Sequence, residues 1–148
     1  MDTLSWPDPV PGLVIRYAYL WQQEAAQGRE EGVKDRPCAI VAAVHVEPGG
    51  MRVYVLPITH TPPQPPDEGI ELPLRTKSRL GLDEERSWII VSEANRFLWP
   101  GPDLRFLAGQ GPESASYGFL PPGLFRIARD RFVARATGST SKIVSRTE

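Results

Sequence analysis

Lys34-Asp35-Arg36-Pro37-Cys38-Ala39-Ile40-Val41-Ala42-Ala43 is the stretch on which the fold turns, because a charged loop ends at Arg36-Pro37 and an apolar strand begins. Pro37 has a fixed φ and no N–H, which suits a strand's first position and biases Arg36 towards an extended conformation. Arg36 is therefore expected at the mouth of a sheet. A guanidinium held there stays charged and offers forked donors that match a phosphate. An Arg-Pro pair is also an ordinary way to start a strand, so the neighbouring elements decide between the two readings.

The strand beginning at Pro37 is expected to run to about Val46, where Glu47-Pro48-Gly49-Gly50 supplies the residues of a tight reversal. Met51 to Ile58 follows as an antiparallel partner and ends in Thr59-His60-Thr61. Arg36 opens one strand of this hairpin and Thr59 closes the other, so both belong to one end of the pair. Upstream, Gly12 to Trp21 reads as a first strand, rich in β-branched and aromatic residues. Gln22 to Asp35 reads as a polar loop whose length and charge mark it as functional or solvated.

Downstream, Ile70 to Leu74 is expected as a short edge strand because of Pro73, and Ser87 to Val91 as a fifth strand. Between them Arg75-Thr76-Lys77-Ser78-Arg79 reads either as a solvated turn or as a basic segment that tracks phosphates. Glu93 and Arg96 read either as an internal ion pair or as ligand contacts. Residues 104–116 look like loop. From Pro121-Pro122 a helix is expected, with Leu124, Phe125, Ala128 and Phe132 on one apolar stripe and Arg126, Arg129, Asp130 and Arg135 towards solvent. Ile143-Val144 offers a short terminal strand.

The 16 prolines and 13 glycines exclude a helical bundle and point to a small, strongly bent sheet or barrel. With 148 residues, the length predicts one domain, residues 1–148, with an irregular arm over 1–11 and a polar tail over 137–148. Seventeen Lys and Arg against 18 Asp and Glu give a formal net charge of −1, so any nucleic-acid contact must come from a local patch. The single cysteine, Cys38, has no intramolecular partner and reads as a small buried hydrophobe. No apolar run approaches the ~20 residues of a membrane span, and Met1 to Asp8 lacks a basic and hydrophobic signal region. A cytoplasmic, reducing location without a membrane partner is the expectation.

Four segments together resemble the PemK/MazF family of toxins from type II toxin–antitoxin systems. They are Gly12-Leu13-Val14-Ile15, Asp35 to Val41 with its Arg-Pro, Val55-Leu56-Pro57-Ile58-Thr59, and Ile89 to Arg96. The resemblance implies a mainly β, SH3-like small barrel with short helices, and a homodimer neutralised by a cognate antitoxin. It implies cleavage of single-stranded RNA without metal or cofactor, through attack of the ribose 2′-OH, leaving a 2′,3′-cyclic phosphate and a 5′-hydroxyl. Carried over by position, Arg36 would stabilise the phosphorane or protonate its leaving group, Thr59 would hold a phosphate oxygen, and Glu93 matches the acidic position of some members. His60, beside Thr59, adds an imidazole that reads either as a solvent-facing loop residue or as a general acid or base. Arg29, Lys34 and Thr61 are further candidate RNA contacts. So are Arg75, Lys77, Arg79 and Arg96.

Two positions depart from the family pattern. Leu13 stands where an acidic residue usually follows the glycine, and Val91 where some members carry an arginine. These departures and the balanced charge keep a second reading in view, a non-catalytic barrel that binds RNA or a protein partner. A gyrase-directed toxin built on the same kind of barrel is a more distant third.

Overall fold

The protein is described by a computed structural model that covers residues 6–28, 34–138 and 142–146. The described residues are mainly β, with eight strands and three α-helices. In chain order they are β1 (Leu13–Tyr17), α1 (Gln22–Ala26), β2 (Arg36–His45), β3 (Met51–Thr59), β4 (Gly69–Glu71), α2 (Leu74–Arg79), β5 (Trp88–Ile90), β6 (Glu93–Leu98), β7 (Ser116–Phe119), α3 (Pro122–Thr137) and β8 (Lys142–Ser145). The strands form one sheet in the order β4-β5-β3-β2-β1-β7, with β6 between β3 and β8. All pairings are antiparallel except β6 with β8. The path is open: no pairing among the described residues joins β4 to β7, so the sheet does not close into a barrel.

The expected hairpin is present, with His45 opposite Met51 and Cys38 opposite Pro57. Beyond β2, strand β3 gives its other edge to two partners in turn. Arg52 to Val55 pair with β6, while Ile58 and Thr59 pair with β5. Pro57 falls in the gap between them, an interruption that a residue without an N–H tolerates. The expected fifth strand, Ser87 to Val91, is present as β5, and a further strand that the sequence reading did not mark, β6, follows after a break at Val91-Ser92.

Both faces of the central strands are covered, which is why β1 and β2 read as nearly continuous apolar runs. Side chains sort by period two. Val14, Ala39, Val41, Leu56 and Ile58 face Ala128 and Phe132 of α3, whereas Leu13, Ile15, Tyr17, Cys38, Ile40, Val53 and Val55 face Phe97 and Leu104 on the other side. The α3 stripe is as the sequence predicts: Ala128 and Phe132 are buried, with Leu124 and Phe125 packed beside them. Cys38 is fully buried, and burial drives its thiol pKa up.

Several expectations need correction. Gln22 to Ala26 is a helical turn rather than loop, and Leu74 opens α2 rather than closing a strand. Both segments are too short for their sequence to show a helical stripe. Within 104–116, a 3-10 turn forms at Pro112–Ala115 and leads into β7, an edge strand of four residues without β-branched side chains. Trp6 packs edge-to-face on Phe106 at 5.6 Å; arm residues 1–5 and tail residues 139–141, 147 and 148 lie outside the described set.

A polar knot ties the last strand to the first layer. Asn95, fully buried on β6, donates to the Leu20 carbonyl (2.7 Å) and accepts from the Leu20 N–H (2.9 Å) and from Arg146 (2.8 Å). Arg146, with 1% of its side chain exposed, also donates to the Ala18 carbonyl and pairs with Asp103 at 3.0 Å. Truncating Asn95 strands several buried polar groups at about 1–3 kcal/mol each. Asn95→Ala is expected to lower the stability to urea by about 3 kcal/mol, read as a shift in midpoint at unchanged slope.

Candidate functional site

The end of the sheet where β2 starts and β3 stops opens into a groove of about 810 Å³. Arg36 begins the ladder opposite Tyr17, and the register Cys38 to Pro57, carried two residues further, sets Arg36 beside Thr59. The shared edge of β3 adds the third contribution, because the step from β5 to β6 brings Ser92 and Glu93 to the same groove. Arg36, Thr59, His60 and Glu93, with Lys34 and Thr61, all line it.

Arg36 lies with its guanidinium carbon 5.0 Å from the Trp21 ring centroid. Its Nε is buried and has no hydrogen-bond partner, and among the described residues it forms no ion pair. The neighbouring Asp35 is directed to Arg105 instead, at 3.5 Å. A fixed, uncompensated guanidinium is a strong site for an anion.

Thr59 Oγ1 accepts the Thr61 N–H at 3.2 Å, which leaves the hydroxyl hydrogen for a ligand. His60 is exposed, and its Nε2 lies 2.8 Å from Asp83 Oδ2. Asp83 also receives Lys77 at 2.7 Å; that hydrogen bond, with a lesser one from His60, holds the Asp83 carboxyl below its usual value against some desolvation. His60, Asp83 and Glu85 bring ligand atoms within 4.8 Å of one another, all on exposed residues. The Lys77 ammonium already on Asp83 opposes a divalent cation there.

Glu93 is half-buried. One carboxylate oxygen accepts the Tyr19 hydroxyl at 3.0 Å and the Gln22 N–H at 2.9 Å. Burial pushes its carboxyl up from the usual 4.5, against the pull of those two donors. A carboxyl raised in this way and lining a groove is the usual profile of a general base.

The other predicted contacts are not gathered here. Lys77 is the clearest correction: it is 1% exposed and donates to Asp83, to the Ser87 hydroxyl and to the Glu85 carbonyl. It braces the turn before β5 and offers nothing to RNA. Arg75 is exposed on α2 outside the groove, and Arg79 borders a separate shallow hollow beside Phe119 and Phe125. Arg96 donates to the Ser145 hydroxyl across the β6–β8 pair, and no ion pair forms between Glu93 and Arg96. Arg29 lies outside the described residues.

Sequence reasoning missed Arg16, Tyr117 and Trp21, which also line the groove. A signal was present: Arg16 interrupts the apolar run Leu13-Val14-Ile15, and a charge inside such a strand needs a partner or a ligand. Comparison of the chain with family models, with curated proteins and with solved structures returned no match.

The Glu93 carboxyl carries a stability prediction. Its folded pKa is raised, so above the usual 4.5 the native state holds more protons than the unfolded chain and stability falls as pH rises towards the folded value. Glu93→Gln keeps an oxygen for Tyr19 and Gln22 but has no charge to desolvate. The variant should match wild type in urea midpoint at about pH 4 and exceed it at about pH 7. A difference independent of pH would dismiss this account of the half-buried carboxylate.

Proposed function

We propose that the groove binds single-stranded RNA and cleaves it without a metal, by attack of the ribose 2′-OH on its own phosphodiester. The observation that carries this reading is the convergence of Arg36, Thr59 and a half-buried Glu93 on one groove from three strands. Glu93 takes the 2′-OH proton as O2′ bonds to phosphorus. Arg36 and the Thr59 hydroxyl hold the phosphoryl oxygens, where charge grows in the transition state. The P–O5′ bond then breaks and the leaving oxygen takes a proton from His60, which Asp83 holds in place. The products are a 2′,3′-cyclic phosphate and a 5′-hydroxyl.

Within that class, the particular reading is the toxin of a type II toxin–antitoxin pair, of the PemK/MazF kind, with an SH3-like barrel as its fold relative. It rests on the four sequence segments and on Arg36 and Thr59 sharing a groove. A homodimer in the cytoplasm and an antitoxin that covers the groove are part of the same proposal. The near-neutral charge of the chain favours one rival, a groove that binds RNA or a protein segment without cutting.

The test is incubation with a long single-stranded RNA in EDTA, followed by analysis of fragment ends. Cyclic-phosphate ends are expected, with Arg36→Ala slower by about 10²- to 10³-fold, the usual loss for one preorganised donor. Intact RNA that is nonetheless bound would leave the binding reading in place of the catalytic one.

A second expectation concerns the proton transfers. His60→Gln should slow cleavage by about 10²-fold or more and remove one limb of the pH–rate profile, while Glu93→Gln removes the other. A His60→Gln profile superimposable on wild type would take the imidazole out of the mechanism.

A further inference from the structure

We propose that Arg16, braced on Tyr117, holds a second phosphate of the RNA strand, the one adjoining the phosphate attacked at Arg36. The inference rests on the ribonuclease reading of the groove and adds to it a residue that neither the family resemblance nor the sequence reading marked.

Arg16 sits on β1, one cross-strand step from Arg36, since Arg16 faces Pro37 and Tyr17 faces Arg36. Its guanidinium lies 4.1 Å from the Tyr117 ring centroid. Nε donates to the Ser114 carbonyl at 2.9 Å and Nη1 donates to the Tyr117 hydroxyl at 2.8 Å. Those contacts fix the plane and use two of five donors, both on neutral acceptors. Among the described residues Arg16 forms no ion pair. Arg16 lines the groove.

Two arginines, each stacked on an aromatic ring and neither neutralised by a carboxylate, thus line one groove. Like charges that line one groove repel, and anions relieve the repulsion. Successive residues of a strand point to opposite faces, so Arg16, level with Pro37, starts from the opposite face to Arg36. Both arginines nevertheless line the same groove, whose volume of about 810 Å³ exceeds what one phosphate needs. Successive phosphates of one strand match that arrangement. The planar, stacked fork also explains arginine over lysine here.

The test uses a short 2′-O-methyl RNA, which binds but cannot supply the attacking hydroxyl, and follows its fluorescence anisotropy with KCl concentration. For single strands each phosphate contact contributes about 0.7 to the slope of log K against log salt. Arg16→Gln should lower the slope by about 0.7. Arg16→Lys should keep the slope but bind about tenfold more weakly, the loss of a charge-assisted hydrogen bond. With cleavable RNA, both variants should raise KM and leave kcat and fragment ends unchanged. An unchanged slope in Arg16→Gln, or a fall in kcat at constant KM, would overturn the second-phosphate assignment while wild-type cleavage kept the ribonuclease reading. Should Arg16→Gln fail to fold, Arg16→Lys decides alone: affinity equal to wild type overturns the assignment. Wild type that neither binds nor cuts RNA overturns both readings.

Discussion

Strand β3 has one edge left after pairing with β2, and two strands share it. β6 takes the half from Arg52 to Val55 and β5 takes Ile58 and Thr59, so the chain must step from one to the other at Val91-Ser92. The step is pinned by backbone bonds, Val91 N–H to the Glu68 carbonyl at 2.8 Å and Lys142 N–H to the Ser92 carbonyl at 2.9 Å. It draws β5, β4 and the turn after α2 to one side and opens the groove at the sheet's end. A single continuous strand from Trp88 to Leu98 would pair along β3 throughout and leave no such opening. Glu93 owes its position to this step, since it is the first residue of β6, and its burial to Tyr19 and Gln22 from the layer beneath.

The groove brings both signs of charge together. Arg16, Lys34, Asp35 and Arg36 come from the β1–β2 side, whereas Glu68 and Asp83 come from the segments before β4 and β5, with His60 after β3. A net charge of −1 therefore hides local charges, whose field acts over about a Debye length of 8 Å in physiological salt. Such an arrangement would give little long-range steering to a polyanion, and binding of one would rely on close contacts. That favours guanidiniums already held in place over flexible ammonium groups, in keeping with the stacking of Arg16 on Tyr117 and of Arg36 on Trp21.

Much of the fold was legible because its evidence is local. The Pro37 strand start, the Pro48-Gly49-Gly50 reversal, the stripe on α3 and the short strand at Ile143-Val144 each announce themselves within a few residues. The Arg36 and Thr59 juxtaposition followed from the hairpin alone. What stayed hidden depends on partners distant in sequence. Tyr117 lies 101 residues from Arg16, and Asn95 lies 75 from Leu20 and 51 from Arg146. Periodicity does not encode such pairings. Strand β6 was hidden for another reason: Ser92, Glu93, Asn95 and Arg96 interrupt the apolar residues after Val91, and its pairing with β3 and β8 rather than its own pattern makes it a strand.

Lys77 shows how a charge that reads as a ligand contact can act at one remove. In sequence it belongs to a run of three cations in five residues, the pattern of a solvated or nucleic-acid-facing segment. Folded into α2, it is withdrawn from water, a state that a lysine sustains only when its donors are satisfied. Asp83, Ser87 and the Glu85 carbonyl satisfy them. The turn from Gly81 to Ser87 is thereby wrapped around the ammonium, and Asp83 is left with its second oxygen directed at His60. The orientation of an imidazole at the end of β3 is thus set by a lysine on α2. A residue misread as a contact becomes a reason for the shape of the groove.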